Sequence, residues 1–217
     1  MDSALQVVRS ELILGGQKSG KSRRAEGLAQ HWLAQSADHH AVLIATAQPW
    51  DDEMRQRIAR HQSDRAQRVP GMFTVEEPLH LSHAIQTHST PQTLIVVDCL
   101  TLWLTNWLMP ADESQAGSNA APGTLEGSGV HTDKFMKNQP VAQVSHPHVA
   151  MFLEAIRHAP GPVVLVGNEI GLGVIPMGRE VRAFVDALGV LNQSVAQVCQ
   201  RVTLMAAGLP LVLKDTP

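Results

Sequence analysis

Cysteine is scarce in this 217-residue chain: only Cys99 and Cys199 occur, and neither belongs to a C-x-x-C pair, which argues against a disulfide scaffold or a thiol-based redox motif. Positive charge is thin as well. No basic tract is longer than the pair Arg23 and Arg24, and the formal net charge is −3, so nucleic acid as the main partner has no electrostatic footprint. Long apolar runs are missing too. The longest candidate, Leu94 to Met109, is broken by Asp98, Thr101, Thr105 and Asn106, which makes it too short and too polar to cross a bilayer. No charged-then-apolar leader precedes the first strand-like run, so the expectation is a soluble cytoplasmic protein, for which small anionic ligands remain open.

The most informative segment is Gly15, Gly16, Gln17, Lys18, Ser19, Gly20, Lys21, Ser22, which matches G-x-x-x-x-G-K-[ST] directly after the apolar run Leu12 to Leu14. Glycines let backbone N–H groups close around phosphate oxygens, Lys21 neutralises the outer phosphates, and the Ser22 hydroxyl can hold Mg²⁺. Behind the loop, Ala25, Leu28, Ala29, Trp32 and Leu33 recur at helical spacing from Ser22 to Ala34, and the positive end of that helix's dipole adds to the attraction for phosphate.

Further strand-like runs occupy Ala41 to Ala45, Thr93 to Val97, Pro162 to Val166 and Val202 to Ala206, mostly separated by helical patterns. Near-continuous apolar strands alternating with helices are the mark of a parallel sheet covered on both faces. The expected fold is therefore α/β and P-loop NTPase-like (RecA-like), an open, doubly wound, mostly parallel sheet. Val202 to Ala206 and Leu209 to Leu213, joined by Ala207 and Gly208, read as an antiparallel hairpin at one edge. With 44% hydrophobic residues, the whole chain, 1–217, fits one such domain. Between Met109 and Pro147 the pattern dissolves into small and polar residues, an insert read as mobile, either a lid or plain disorder. His131, His146 and His148 lie in or beside it and read more readily as solvated loop histidines than as metal ligands.

Other residues could carry chemistry. Asp98 closes the strand pattern Leu94 to Val97, where a phosphoryl-transfer site places a second Mg²⁺ contact, which is its first reading; the second is an N-cap of the helix Leu100 to Leu108, and the two roles can coexist. The stretch Asp51 to His61 runs from acidic to basic, as a helix complementing its own dipole would, and taken alone it gives His61 no catalytic role. The turn Asn168 to Pro176 follows a strand and is Gly-rich, either a ligand loop or ordinary turn geometry. Trp103 and Trp107, four residues apart on one helix, read as core or subunit packing.

The order of these segments resembles the bifunctional adenosylcobinamide kinase and adenosylcobinamide-phosphate guanylyltransferase family of cobalamin biosynthesis over nearly the whole chain. The resembling stretches are LILGGQKSGKSRRAE, IATAQPWDDEMRQRIARHQSDR, FTVEEP, DCLTLWLTNWL, and NEIGLGVIP followed by Arg182, Asp186, Gly189, Asn192 and Gln193. The resemblance implies ATP or GTP as phosphate donor to adenosylcobinamide, then transfer of GMP from GTP to the phosphorylated corrinoid, giving adenosylcobinamide-GDP. His61 matches the histidine that carries GMP in this family, a role suited to an imidazole nucleophile. By the same resemblance Gly15 to Ser22 hold phosphates, with Ser22 and Asp98 at the Mg²⁺. Ala45, Thr46, Ala47, Gln62, Ser63, Asp64 and Arg65 line the nucleotide, which Glu76 and Asp98 also touch. A homo-oligomer, a trimer in particular, is implied too. Val185 stands where the family usually has arginine, Gly167 where it has Ser or Thr, and Met72 near the place of a tryptophan. Val185 and the unaligned insert motivate one rival reading, a P-loop regulatory module acting through a protein partner.

Overall fold

In the computed structural model, which describes residues 5–49, 52–108, 147–174 and 176–216, seven strands form one sheet in the order β3-β2-β4-β5-β1-β6-β7. They are β1 (Ser10–Gly15), β2 (His40–Ala45), β3 (Met72–Glu76), β4 (Thr93–Asp98), β5 (Val163–Val166), β6 (Arg201–Ala206) and β7 (Leu209–Asp215). Every neighbouring pair is parallel except β6 and β7. The fold is thus the expected doubly wound α/β sheet with an antiparallel pair at its C-terminal edge. Ala207 and Gly208 both take positive φ, 51° and 80°, the pattern of a type I′ turn whose twist suits a two-residue hairpin.

The strands read as unbroken apolar runs because both of their faces are covered, and their alternation sorts side chains into two cores. On one face Leu12, Leu14, Val42, Ile44, Ile95, Val97, Val163 and Leu165 pack against α3 (Leu81–His88), α4 (Leu100–Leu108), α5 (Pro147–His158) and α6 (Arg179–Val198). On the other, Ile13, Leu43, Leu94, Val96, Val164 and Val166 meet α1 (Lys21–Gln35), which presents Ala25, Leu28 and Ala29 at i, i+3 and i+4. Each fully buried Leu or Ile contributes about 1.5–3 kcal/mol. Trp103 and Phe152 meet with their rings tilted at 46° and 4.9 Å between centroids in the first core, so Trp103 serves packing as its helical spacing implied.

Two elements differ from the sequence reading. β3 was not expected as a strand: it lies at the open edge, none of its residues is more than half-buried, and Phe73 is exposed, so no apolar run announces it. The helix beginning near Asp51 is α2 (Asp52–Arg68), longer than the acidic-to-basic stretch, and among the described residues none of it is fully buried. His148 is also corrected. It belongs to α5, half-buried, with its ring stacked on Trp107 at 4.0 Å, which gives this imidazole a packing role that a solvated loop would not. The expectations for the insert, including His131 and His146, lie outside the described residues. No helix among the described residues is long and apolar enough to cross a membrane.

The placement of β5 between β1 and β4 governs the site. The carboxyl ends of all three strands open on the same side, so the turn after β5 emerges between the glycine-rich loop after β1 and Asp98 at the end of β4.

Candidate functional site

The loop after β1 has the backbone its sequence calls for. Gly15, Lys18 and Gly20 take positive φ, and Gly20 in the left-handed region forms the N-cap of α1. Alternation of this kind turns successive N–H groups toward one concavity at a helix N-terminus, a cradle for phosphate oxygens. Gly15 is irreplaceable on steric grounds as well, since a Cβ there would lie 2.5 Å from the Met205 carbonyl oxygen and 2.6 Å from Ser19 Oγ. The tip of the β6–β7 hairpin braces the loop: Gly208 N–H donates to the Ser19 carbonyl at 3.0 Å, and a Cβ on Gly20 would stand 3.3 Å from Gly208 Cα. Nothing in the local sequence signals this contact. Gln17 and Lys18 are exposed, whereas the Ser19 hydroxyl is buried and has no hydrogen-bond partner among the described residues.

Lys21 and Ser22 bring the loop to β4. Ser22 Oγ donates to Asp98 Oδ2 at 3.0 Å, and Lys21, 8% exposed, donates through Nζ to the Gly16 carbonyl at 2.6 Å. Burial pulls the Lys21 ammonium below its ordinary range, and the nearby Cys99 and Asp98 partly offset this. A carboxylate and a hydroxyl in contact are the hard oxygen donors that suit Mg²⁺, so these two residues fit the ion. Asp98 therefore faces the loop; the first backbone bond of α4 ends on the Cys99 carbonyl, from Trp103 N–H at 3.1 Å. Burial pushes the Cys99 thiol up to about 11, and the neighbouring Asp98 adds to the shift, which keeps a second negative charge away from Asp98.

Thr46 holds the backbone that carries Asp98. Its hydroxyl, fully buried, donates to the Cys99 carbonyl and accepts from the Cys99 N–H, both at 2.8 Å, while its N–H donates to the Asp98 carbonyl at 3.1 Å. Asn106, whose role the sequence reading missed, donates through Nδ2 to the Thr46 and Pro78 carbonyls at 2.9 and 3.0 Å. With the Thr46 hydroxyl engaged, the residues of this segment open to solvent are Ala45 and Ala47, both half-buried.

α2 contributes a more open wall. Gln62 Nε2 donates to Glu76 Oε1 at 3.2 Å, joining two of the expected nucleotide residues that are 14 positions apart. The C-terminal end of α2 is tethered by Arg68 to Glu26 at 2.7 Å and by buried Val69. His61 and Ser63 are exposed, Asp64 pairs with Arg68 at 3.1 Å, and Arg65 is half-buried. Among the described residues His61 has no hydrogen bond to the glycine-rich loop; it stands exposed on α2, one position before Gln62.

The turn after β5 is tied to its neighbours on three sides. Glu169 N–H donates to the Gly15 carbonyl at 3.1 Å, Asn168 N–H to Thr101 Oγ1 at 3.0 Å, and Asn192 Nδ2 on α6 to the Asn168 carbonyl at 3.0 Å. Asn192 Oδ1 is buried with no partner among the described residues, and it lies 3.4 Å from where a Cβ on Gly167 would be. Ser or Thr at 167 would supply the missing donor.

A model of the family described as cobinamide kinase / cobinamide phosphate guanyltransferase matches residues 11–213. The bifunctional adenosylcobalamin biosynthesis protein CobP of Pseudomonas aeruginosa is 41% identical over 208 residues, covering 95% of this chain and 98% of that protein. The bifunctional adenosylcobalamin biosynthesis protein CobU of Escherichia coli (strain K12) is 32% identical over 204 residues, covering 94% of this chain and 98% of its own. Among solved structures, flagellar accessory protein FlaH from Methanocaldococcus jannaschii aligns at TM-score 0.45 and 12% identity, over 96% of this chain and 79% of that one.

Proposed function

The chain belongs to the cobinamide kinase / cobinamide phosphate guanyltransferase family, and we propose that one glycine-rich loop serves both of its phosphorus centres, with His61 as the nucleophile of the second reaction. The protein is a bifunctional enzyme of adenosylcobalamin biosynthesis. Relatives named as bifunctional enzymes match it almost end to end, so a purely regulatory module is not favoured.

In the kinase reaction, the corrinoid hydroxyl oxygen bonds to the γ-phosphorus of ATP or GTP. The bond from γ-phosphorus to its bridging oxygen breaks, and the nucleoside diphosphate departs. The loop N–H groups and Lys21 hold the phosphates in line and meet the charge that develops. Ser22 and Asp98 would hold Mg²⁺, which when bound supplies further charge neutralisation at the phosphates. The observation that carries the reading is the Ser22–Asp98 contact at 3.0 Å beside Lys21, a hydroxyl–carboxylate pair suited to Mg²⁺ and an ammonium suited to phosphate, together at a helix N-terminus.

In the guanylyl reaction an imidazole nitrogen of His61 bonds to the α-phosphorus of GTP and pyrophosphate departs. A phosphate oxygen of the phosphorylated corrinoid then displaces the histidine, freeing His61. The exposure of α2 supports this role: among the described residues none of its side chains is fully buried, which leaves the helix room to swing about its tethered C-terminal end. Gln62, Asp64, Arg65 and Glu76 then flank the guanosine. Assembly as a trimer in the cytoplasm belongs to the same proposal, and the exposed Leu209, Leu211, Val212 and Leu213 on edge strand β7 support association.

Incubation with α-labelled GTP tests the nucleophile. Wild type should acquire acid-labile, base-stable label and His61→Ala none; undiminished label in His61→Ala, or none in wild type, refutes the covalent route.

A further inference from the structure

We propose that Glu169 is the general base of the kinase reaction, taking the proton from the corrinoid hydroxyl as that oxygen bonds to the γ-phosphorus. The inference rests on the kinase reading above and adds to it a residue for the one proton the reaction releases. Three observations converge on this side chain.

The first is its place in the sheet. In the register of the sheet Val166 pairs with Ile13 of β1 on one side and with Asp98 of β4 on the other, so the chain leaving β5 rises between the phosphate loop and the Ser22–Asp98 pair. Glu169 is bonded there through its own N–H to the Gly15 carbonyl at 3.1 Å. The second is how its carboxylate is held. Oε1 accepts from the Gly171 N–H at 3.1 Å, and Oε2 lies 3.4 Å from Nδ2 of Asn192, a side chain 3% exposed on α6. A turn glutamate with no task would extend into water; this one is aimed by an amide 23 residues away, and with only these two neutral donors it keeps free lone pairs.

The third is that the other carboxylates at this end of the sheet already have a task in the proposed reactions, at Mg²⁺ or the guanosine, or in starting a helix. Asp98 takes the Ser22 hydroxyl, Glu76 takes the Gln62 amide, and Glu77 Oε1 accepts from the Leu79 and His80 N–H groups at the start of α3. Directly beyond Glu169, Leu172, Val174 and Met177 are 79%, 96% and 96% exposed, apolar surface on which a macrocyclic acceptor with apolar faces can lie with its hydroxyl toward the carboxylate. As the oxygen–phosphorus bond forms, the O–H bond breaks and its proton passes to Glu169, while the nucleoside diphosphate leaves with the electron pair of the broken bond.

Two assays on the full chain separate the outcomes: phosphoryl transfer from γ-labelled ATP to adenosylcobinamide, and protein labelling by α-labelled GTP. Glu169→Gln should lower kcat of the first by about 10²–10⁴-fold, the usual worth of a general base. The KM for ATP and the labelling by GTP should stay near wild type, and Glu169→Asp should restore part of the rate. Phosphorylation by Glu169→Gln at close to the wild-type rate, a loss confined to KM, or equal loss of both activities would overturn the assignment. Wild type that labels with GTP yet phosphorylates no cobinamide would overturn the kinase reading itself, a result distinct from a failure confined to the variant.

Discussion

Arg24→Met should destabilise the protein severely, although Arg24 lies outside the phosphate loop. Its Nε donates to Glu11 Oε1 at 2.8 Å, and the two side chains are 6% and 1% exposed. Thr203, fully buried on β6, donates its hydroxyl to the same oxygen at 2.7 Å, so the group joins β1, α1 and β6 directly beneath the loop. Removing the guanidinium leaves a carboxylate buried with one hydroxyl donor, and Glu11 Oε2 already has no partner among the described residues. Breaking a buried pair from one side costs about 3–5 kcal/mol, a large part of a typical 5–15 kcal/mol of folding stability. At about 2–4 °C per kcal/mol for a chain of this size, the midpoint of thermal unfolding should fall by about 6–20 °C, read by circular dichroism. The triple variant Glu11→Met, Arg24→Met, Thr203→Val removes the buried carboxylate together with both of these donors at nearly the same volume, and should unfold well above Arg24→Met, because replacing a buried pair with apolar side chains is often neutral or stabilising. If the three substitutions instead add as independent losses, or if Arg24→Met shifts the midpoint by under about 2 °C, the burial argument is wrong.

Gly167→Ser should stabilise the fold relative to Gly167→Ala, because both bring a Cβ to 3.2 Å from Leu14 Cδ2 but only serine offers a hydroxyl to the orphaned Asn192 Oδ1. One such bond is worth about 0.5–1.5 kcal/mol, or about 1–6 °C between the two variants in differential scanning calorimetry, and equal midpoints would refute it. Stability should also fall in alkali for a reason located in Cys199, whose thiol burial pushes from 9.0 up to about 12. Between those values the unfolded chain releases a proton that the folded chain keeps, so this contribution is complete below pH 9 and is lost as pH climbs toward 12. Urea unfolding from pH 9.5 to 11.5 should show a slope steeper in wild type than in Cys199→Val, by up to about 1.4 kcal/mol per pH unit. The chain has no tyrosine to titrate in that window, and other groups cancel between the two proteins, so equal slopes would refute the assignment.

The phosphate loop, five of the strands and the edge hairpin were legible because each is written in neighbouring residues: glycines where φ is positive, unbroken apolar runs where both faces are covered, Ala207–Gly208 at a tight turn. β3 was not legible, since an edge strand with Phe73 in solvent has no burial to imprint a pattern. His61 shows the same limit from the other side. Nothing in the composition of an exposed polar helix separates a nucleophile from a solvated histidine, and it was the order of motifs, not local chemistry, that singled it out.

The sequence by itself determined that a glycine-rich loop of the phosphate-binding pattern lies near residue 20 and that a parallel α/β sheet lies beneath it, because backbone freedom, helical spacing and strand alternation are local properties. Tertiary structure decided which partners meet there. Ser22 reaches Asp98 across 76 residues, Thr46 clamps Cys99 across 53, and Asn192 aims Glu169 across 23. Those pairings follow from the strand order, which inserts β5 between β1 and β4, and strand order is set by how the helices pack over the finished sheet.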